Sequence, residues 1–304
     1  MAVHFRPAVK SEVKPLIGLY AESGCGKTYG ALLLAKGFAE DMAGVAMIET
    51  ESGRGEIFAD DPIVGGYQVW PIRDDFSPKS YEAAILAAGK AGFKVLIIDS
   101  ASHEWEGAGG VLSMAAKNQD EGKTGVLVWQ MPKLLHQRQF MLRLLGTPVP
   151  VVIVCMRAKY PMQEVIEKGK KKWIRSETLE PKQADDILFE MLVHAWIDQQ
   201  HNLHVTKCSK DELRQVFVEG QPITVETGQR LAEWSKGGKK PEPTSEDKEF
   251  LKQAVLEISS AKDMIALESW AKENSSQLKN SPYCEQIRQE YAQVRDRFNK
   301  EASA

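Results

Sequence analysis

Cysteine is scarce and scattered. Cys25, Cys155, Cys208 and Cys284 are the four in 304 residues, and no two form a CxxC pair. That usage excludes a small disulfide-stapled fold and points to a reduced, cytoplasmic protein with free thiols. Long apolar runs are missing too. No stretch approaches the roughly 18 apolar residues of a membrane helix, so no membrane partner is expected. The opening MAVHFRPAVK has no apolar core and does not read as a secretory leader. Charge of one sign is also lacking: 39 Lys and Arg stand against 42 Asp and Glu, a net charge of -3. Any grip on nucleic acid must then come from a local basic surface.

Hydrophobic residues make up 43% and charged residues 27%, a balance that folds as a globule. The length fits two domains. Over the first 235 residues apolar runs alternate with helical patterns. Pro15–Tyr20, Val45–Glu49, Tyr67–Ile72, Lys94–Ile98 and Val149–Cys155 read as strands covered on both faces. Lys27–Ala39 and Ser80–Ala91 read as helices between them. Strand, helix, strand at this spacing implies an α/β fold with a mostly parallel sheet and right-handed crossovers.

A shift in composition ends this pattern. SKGGKKPEPTSE, from Ser235 to Glu246, has almost nothing to bury and marks a linker over 236–246. Beyond it, 247–304 reads as a small unit of three helices. Asp247–Ser259 and Lys262–Glu273 form the first two. Ser281 and Pro282 suit the start of the third. Ile287, Tyr291, Val294 and Phe298 then share one helical face. Trp270, Leu267 and Ile265 are the expected remainder of its core.

AESGCGKT, residues 21–28, follows the apolar run Leu16–Tyr20 and opens a helix at Lys27. The phosphate-binding pattern GxxxxGK[ST] is met except at Ala21, which only has to end a strand and begin a turn. Gly24 and Gly26 allow the turns that aim main-chain N–H groups inward, at a helix N-terminus that favours anions. The cradle spans Glu22, Ser23, Gly24, Cys25, Gly26, Lys27, Thr28 and Tyr29. Lys27 would reach the β- and γ-phosphates of ATP, and Thr28 would hold Mg²⁺. KVLIIDS supplies the second half, Asp99 at a buried strand end, able to order Mg²⁺ through water. Ser100 follows, so a Glu next to that Asp is absent. Glu49, Glu51 and Glu104 are the candidates to activate water. Glu51 is favoured, on the expectation that the strand before it lies beside the phosphate-loop strand.

These residues resemble the RecA class of ATPases. Ile48, Glu49, Thr50 and Glu51 match the run in that class whose Glu activates water. IIDSASHEWEGAGG, residues 97–110, looks like phage-encoded nucleotide-binding proteins, and the chain resembles the RecA-like recombination ATPases of phages, the ATPase subgroup of the Sak group. The resemblance covers about residues 14–235. It implies a RecA-like P-loop NTPase core with a central sheet flanked by helices, plus the small C-terminal helical domain. It also implies ATP hydrolysis, single-stranded DNA as ligand, and a homo-oligomeric ring or filament. From its place behind the linker, the helical tail is expected to dock a partner such as an annealase or single-strand binding protein. One departure is evident: a polar Gln expected at the end of a later strand is replaced in VVIVCMRAKY, where Arg157 and Lys159 follow Cys155 and Met156. Arg157 is the candidate to take over phosphate sensing.

Two regions are candidates for DNA. One is the glycine-rich stretch from Ser102 to Lys123, read as a loop and carrying Trp105. The other is EKGKKKWIRS, where Lys168, Lys170, Lys171, Lys172 and Arg175 surround Trp173 on two strands turning at Gly169. His201, His204 and Cys208 have a loose metal-like spacing but no evident fourth ligand. A helicase or packaging motor, and a nucleotide-dependent switch with little turnover, are the alternative functions.

Overall fold

The computed structural model describes residues 13–167, 170–236, 245–281 and 283–301. They form two compact units, one within 13–236 and one within 245–301.

The first unit begins with β1 (Leu16–Ala21), α1 (Lys27–Ala39), β2 (Val45–Glu49), β3 (Gln68–Pro71), α2 (Pro78–Ala91) and β4 (Val95–Asp99). Short helices α3 (Ser102–Glu106), α4 (Val111–Asp120), α5 (Val126–Leu135) and α6 (Leu142–Gly146) follow, with a π-helical turn at His136–Met141. Then come β5 (Val151–Lys159), β6 (Met162–Glu167), β7 (Lys170–Arg175), β8 (Glu180–Pro181), α7 (Asp186–Glu190), β9 (Val193–Ile197), β10 (Leu203–Cys208), α8 (Asp211–Arg214) and α9 (Val225–Lys236).

The main sheet runs β10-β9-β1-β5-β4-β2-β3, with β8 paired to β5. Pairing is parallel from β9 through β3 and antiparallel for β10. The central strands β1, β2 and β4 are buried at every position because both faces are covered, whereas the edge strand β3, expected to be covered likewise, is largely exposed. Alternate residues go to opposite sides: Ile17, Leu19, Ile97 and Ile153 pack with α1 and α9, while Leu16, Leu96, Ile98 and Val154 pack with α2 and the π-helical turn. Helix starts follow local chemistry. Ser77 caps α2 by accepting from Ser80 N, Pro78 takes its first position, and Gly92 ends it at φ 79°. Helices α1 and α9 touch through glycine, since a Cβ on Gly37 would fall 1.9 Å from the Val225 carbonyl oxygen.

The structure corrects three expectations here. The strand before Glu51, β2, does not lie beside β1; β5 and β4 stand between them. Apolar runs buried on both faces carry no mark of their order in the sheet. The stretch 102–123 is not a loop but mainly two helices, α3 and α4. Gly107, Gly109 and Gly110 serve close packing: a Cβ on Gly107 would meet the Phe76 ring at 2.9 Å and the His103 carbonyl oxygen at 2.6 Å. The strand expected to end at Cys155 runs on to Lys159.

The second unit holds α10 (Ser245–Ser259), α11 (Met264–Glu273), α12 (Ser275–Asn280) and α13 (Cys284–Glu301), one short helix more than expected. Asp263 caps α11 through Ala266 N at 2.8 Å. Ala254, Ile258, Leu267, Ile287 and Val294 form its core, with Trp270, Tyr291 and Phe298 partly buried against it. Ile265 is 79% exposed and does not belong to that core, because it points away from the face that carries Leu267. Pro282 and most of the expected linker lie outside the described residues.

Candidate active site

The loop between β1 and α1 turns through Gly24 (φ 88°) and Gly26 (φ 85°), conformations that favour glycine. Gly26 stands at the N-cap of α1, and no side chain caps the helix there. The first N–H groups of α1 therefore open towards solvent and would welcome an anion. Lys27 and Thr28 open that first turn. Thr28 Oγ1 donates to Asp99 Oδ2 at 2.5 Å, which joins the loop to the end of β4 two strands away. Asp99 is 2% exposed. Burial pushes its carboxyl upward, while Thr28 and the Lys27 ammonium act in the opposite direction.

A cleft of about 640 Å³ lies over this loop. Ser23, Gly24, Gly26, Lys27, Thr28, Tyr29, Glu51, Asp99 and Arg157 all line it. Glu22 and Cys25 do not. Glu22 lies 3.7 Å from Arg175, and Cys25 packs into the core with burial raising its thiol pKa. The Cys25 carbonyl instead meets His201 Nδ1 at 3.0 Å.

The three glutamates separate cleanly. Glu49 ends β2 fully buried, accepts from Glu51 N at 2.7 Å and Gly53 N at 3.0 Å, and pairs with Arg73. It shapes the turn 50–53, where Ser52 and Gly53 both take positive φ. Glu104 is buried on α3 and bound to His136 and Gln183. Only Glu51 of the three faces the cleft. That turn carries it across the ends of β4 and β5, which explains how it reaches the site although β2 is distant from β1.

Arg157 meets it there. Its Nε donates to Glu51 Oε1 at 2.8 Å and its Nη2 to Oε2 at 2.5 Å, within the same chain. Burial opposes ionisation of Glu51, but the guanidinium outweighs it and holds the carboxyl below the ordinary range. Arg157 is placed by register, opposite Ala21 on β1, and by its N–H donating to Ser102 Oγ at 2.9 Å. The cleft can thus hold an anion on backbone N–H groups, a hard cation on Thr28 and Asp99, and a carboxylate–guanidinium pair facing both.

Five lining residues were not legible beforehand, Ala158 on β5 among them. Arg54, Ile57 and Phe58 come from the 3₁₀ turn after Glu51, and the Tyr29 and Phe58 rings lie 5.1 Å apart. Lys182 follows β8 and reaches Glu106 at 3.2 Å. A basic residue in EPKQ carries no signal until β8 is seen to pair with β5. Thr50 also forms an unforeseen link, meeting His103 Nδ1 at 2.7 Å and accepting from Ser100 N at 2.8 Å.

Of the DNA candidates, β6 and β7 form an antiparallel hairpin in register from Met162↔Arg175 to Glu167↔Lys170. Trp173 is 62% exposed. Lys171 pairs with Glu164 at 2.7 Å, and Arg175 lies 4.6 Å from the Tyr160 ring centre. Lys168, Gly169 and the side chain of Lys170 lie outside the described residues. Trp105 is partly buried on α3, edge-on to His136 at 5.5 Å. The metal-like trio is dispersed: His204 sits between Asp198 and Glu219, His201 on the loop carbonyl, and Cys208 on the Lys210 carbonyl. No group of three or more His, Cys, Asp or Glu able to hold a metal occurs among the described residues. Nor is any described helix long and apolar enough to cross a membrane.

No model of a known protein family matches the sequence, and no curated protein matches it.

Proposed function

We propose that the chain is a Mg²⁺-dependent ATPase with a RecA-like core, acting on single-stranded DNA in phage recombination or strand annealing. The observation that carries the reading is the meeting of Thr28 with Asp99 under a glycine-turned loop, with Glu51 across the cleft. The mostly parallel sheet with helices on both faces is compatible with it. The loop N–H groups and Lys27 would bind the phosphates of ATP. The residues fit Mg²⁺: Thr28 offers a hydroxyl as a direct ligand and Asp99 a carboxylate acting through water, and a cation that arrives with a nucleotide needs no protein cage. When bound, Mg²⁺ neutralises charge on the β- and γ-phosphate oxygens. Tyr29, Ile57 and Phe58 supply the apolar end of the cleft.

Glu51 is ionised at neutral pH, the form a general base needs. Arg157 donates to both its oxygens and so weakens it as a base, and Glu51 would gain basicity if Arg157 turned away. A γ-phosphate is the natural competitor, since guanidinium binds phosphate in the same forked way. Arg157 would then sense the phosphate and free the base in one movement.

The exposed Trp173 and the cations of the β6–β7 hairpin support the DNA reading, because aromatic stacking and phosphate contacts are how single strands are held. RecA-class sites lie between subunits, so a ring or filament belongs to the proposal.

The engaged state of Glu51 also favours a second reading, a nucleotide-dependent switch with little turnover. Glu51→Gln separates the two. Under the first it abolishes hydrolysis and preserves ATP binding; unchanged hydrolysis removes Glu51 from the mechanism.

A further inference from the structure

Away from the cleft, one cavity combines aromatic walls with an incomplete polar floor. Its volume is about 660 Å³, within the range of small-molecule sites. Trp105 on α3, Trp129 on α5 and Phe189 on α7 supply the walls, and Lys133 stands at Trp129, 6.0 Å from its ring centre. The floor is His136, at the start of the π-helical turn, and Asp186, at the start of α7.

His136 is 2% exposed. Its Nδ1 faces the buried Glu104 carboxylate at 3.0 and 3.1 Å, which makes that nitrogen the donor. Gln183 Nε2 donates to the same carboxylate at 3.2 Å. One side of the imidazole is thus fully engaged. On the other side, His136 Nε2 and Asp186 Oδ1 lie 3.6 Å apart, within ion-pair range of each other, and neither has a hydrogen-bond partner. The second Asp186 oxygen is taken by Gln137 Nε2 at 2.5 Å. Buried polar atoms in folded proteins nearly always find partners. Two that face each other without a hydrogen bond, beside a roomy cavity, mark a place that a ligand completes. Water would serve the two atoms but leave the indoles nothing to stack on.

The ligand's chemistry follows from the lining. Two indoles call for a flat ring. Two adjacent polar atoms on the floor call for a ring edge that presents hydrogen-bonding groups side by side. One lysine against Asp185 and Asp186 gives no net positive charge, so a phosphate is not drawn inside. A flat ring with a polar edge, tethered to phosphates that stay outside, is a base within a strand.

We propose that this cavity binds one unpaired base of single-stranded DNA, stacked on Trp105 and Trp129 with its polar edge on His136 Nε2 and Asp186 Oδ1. This deepens the DNA-binding part of the reading above and rests on it. The cavity is also wired to the ATP cleft. Lys182 lines the cleft and its neighbour Gln183 lines the cavity. Gln183 Nε2 donates to the Ala101 carbonyl at 2.8 Å, two residues past Asp99. A base pressing on this floor acts on the segment that carries Asp99.

The test is fluorescence anisotropy of the full chain with labelled dT, dA and dC homopolymers, and with free deoxynucleoside monophosphates as competitors. The proposal expects one homopolymer to bind best. Trp129→Ala should weaken that complex roughly tenfold, as loss of base–aromatic stacking does. Asp186→Ala, at a side chain 45% exposed and so tolerant of change, should level the homopolymer preference. Binding weakened by Lys171→Ala yet unaffected by Trp129→Ala and Asp186→Ala overturns the cavity proposal and leaves DNA binding standing. No binding to any homopolymer overturns both. A monophosphate that competes as well as the homopolymer overturns the strand as the source of the base.

Discussion

The contact between Glu51 and Arg157 is open to a double-mutant cycle with Glu51→Gln and Arg157→Gln. Two opposite charges about 4 Å apart near a protein surface attract by at most ~4 kcal/mol. The Glu51 side chain is 12% exposed and the Arg157 side chain 39%, so water screens the arginine end and the value must be discounted. A coupling of about 1 kcal/mol at pH 7 is expected, within the usual span for partly exposed ion pairs. For a unit of this size ~1 kcal/mol moves the unfolding midpoint by about 2–4 °C. The sign with pH follows from the direction of the shift. The Glu51 carboxyl is lowered in the folded state, so its contribution is fully present above its unfolded value. It is lost as pH falls through the lowered native value. Thermal unfolding of the four variants at pH 7, and again in strong acid, gives the coupling directly. A coupling that persists undiminished in acid, or is indistinguishable from zero at pH 7, refutes the ion pair as described.

Gly37→Ala places a methyl group against the α9 backbone and should cost about 2 kcal/mol, read as a lower urea midpoint. An unchanged midpoint would contradict the glycine contact of α1 and α9. Thr28→Ala removes a proposed direct ligand of Mg²⁺, so half-maximal hydrolysis should need roughly tenfold more Mg²⁺, measured by titration. Ile258→Ala in the helical unit removes a fully buried side chain and should cost about 2–4 kcal/mol. That is enough to open so small a unit, and it should show as faster amide exchange over 245–301 with 13–236 unaffected.

The fold was legible where one local rule decided the outcome. Runs such as Val95–Ile98 are apolar at every position because both faces are covered, and the helix read over Ser80–Ala91 is there, although its start, capped by Ser77 with Pro78 at the first position, lies earlier than expected. Strand order was not legible, since β1, β4 and β5 read alike and only tertiary packing sets β5 and β4 between β1 and β2. The glycines at 107–110 suggested a loop because close packing and turning use the same residue. In the site, the loop glycines, Lys27, Thr28 and Asp99 were visible as a pattern with a mechanism. The choice between Glu49 and Glu51 was not a matter of composition: two residues apart, one is buried as the centre of a turn and the other is carried over the cleft by it. His136, Asp186 and Trp129 gave no warning. Trp129 and His136 share one continuous helical stretch, but Asp186 lies far beyond it in sequence, and only tertiary packing brings α7 to the π-helical turn.

The most direct test of the account is ATP hydrolysis with and without single-stranded DNA, with Lys27→Ala as the blank. The account predicts Mg²⁺-dependent turnover that DNA raises strongly and that the blank lacks. Turnover that ignores DNA, or is equal in the blank, would contradict a DNA-coupled ATPase at this loop.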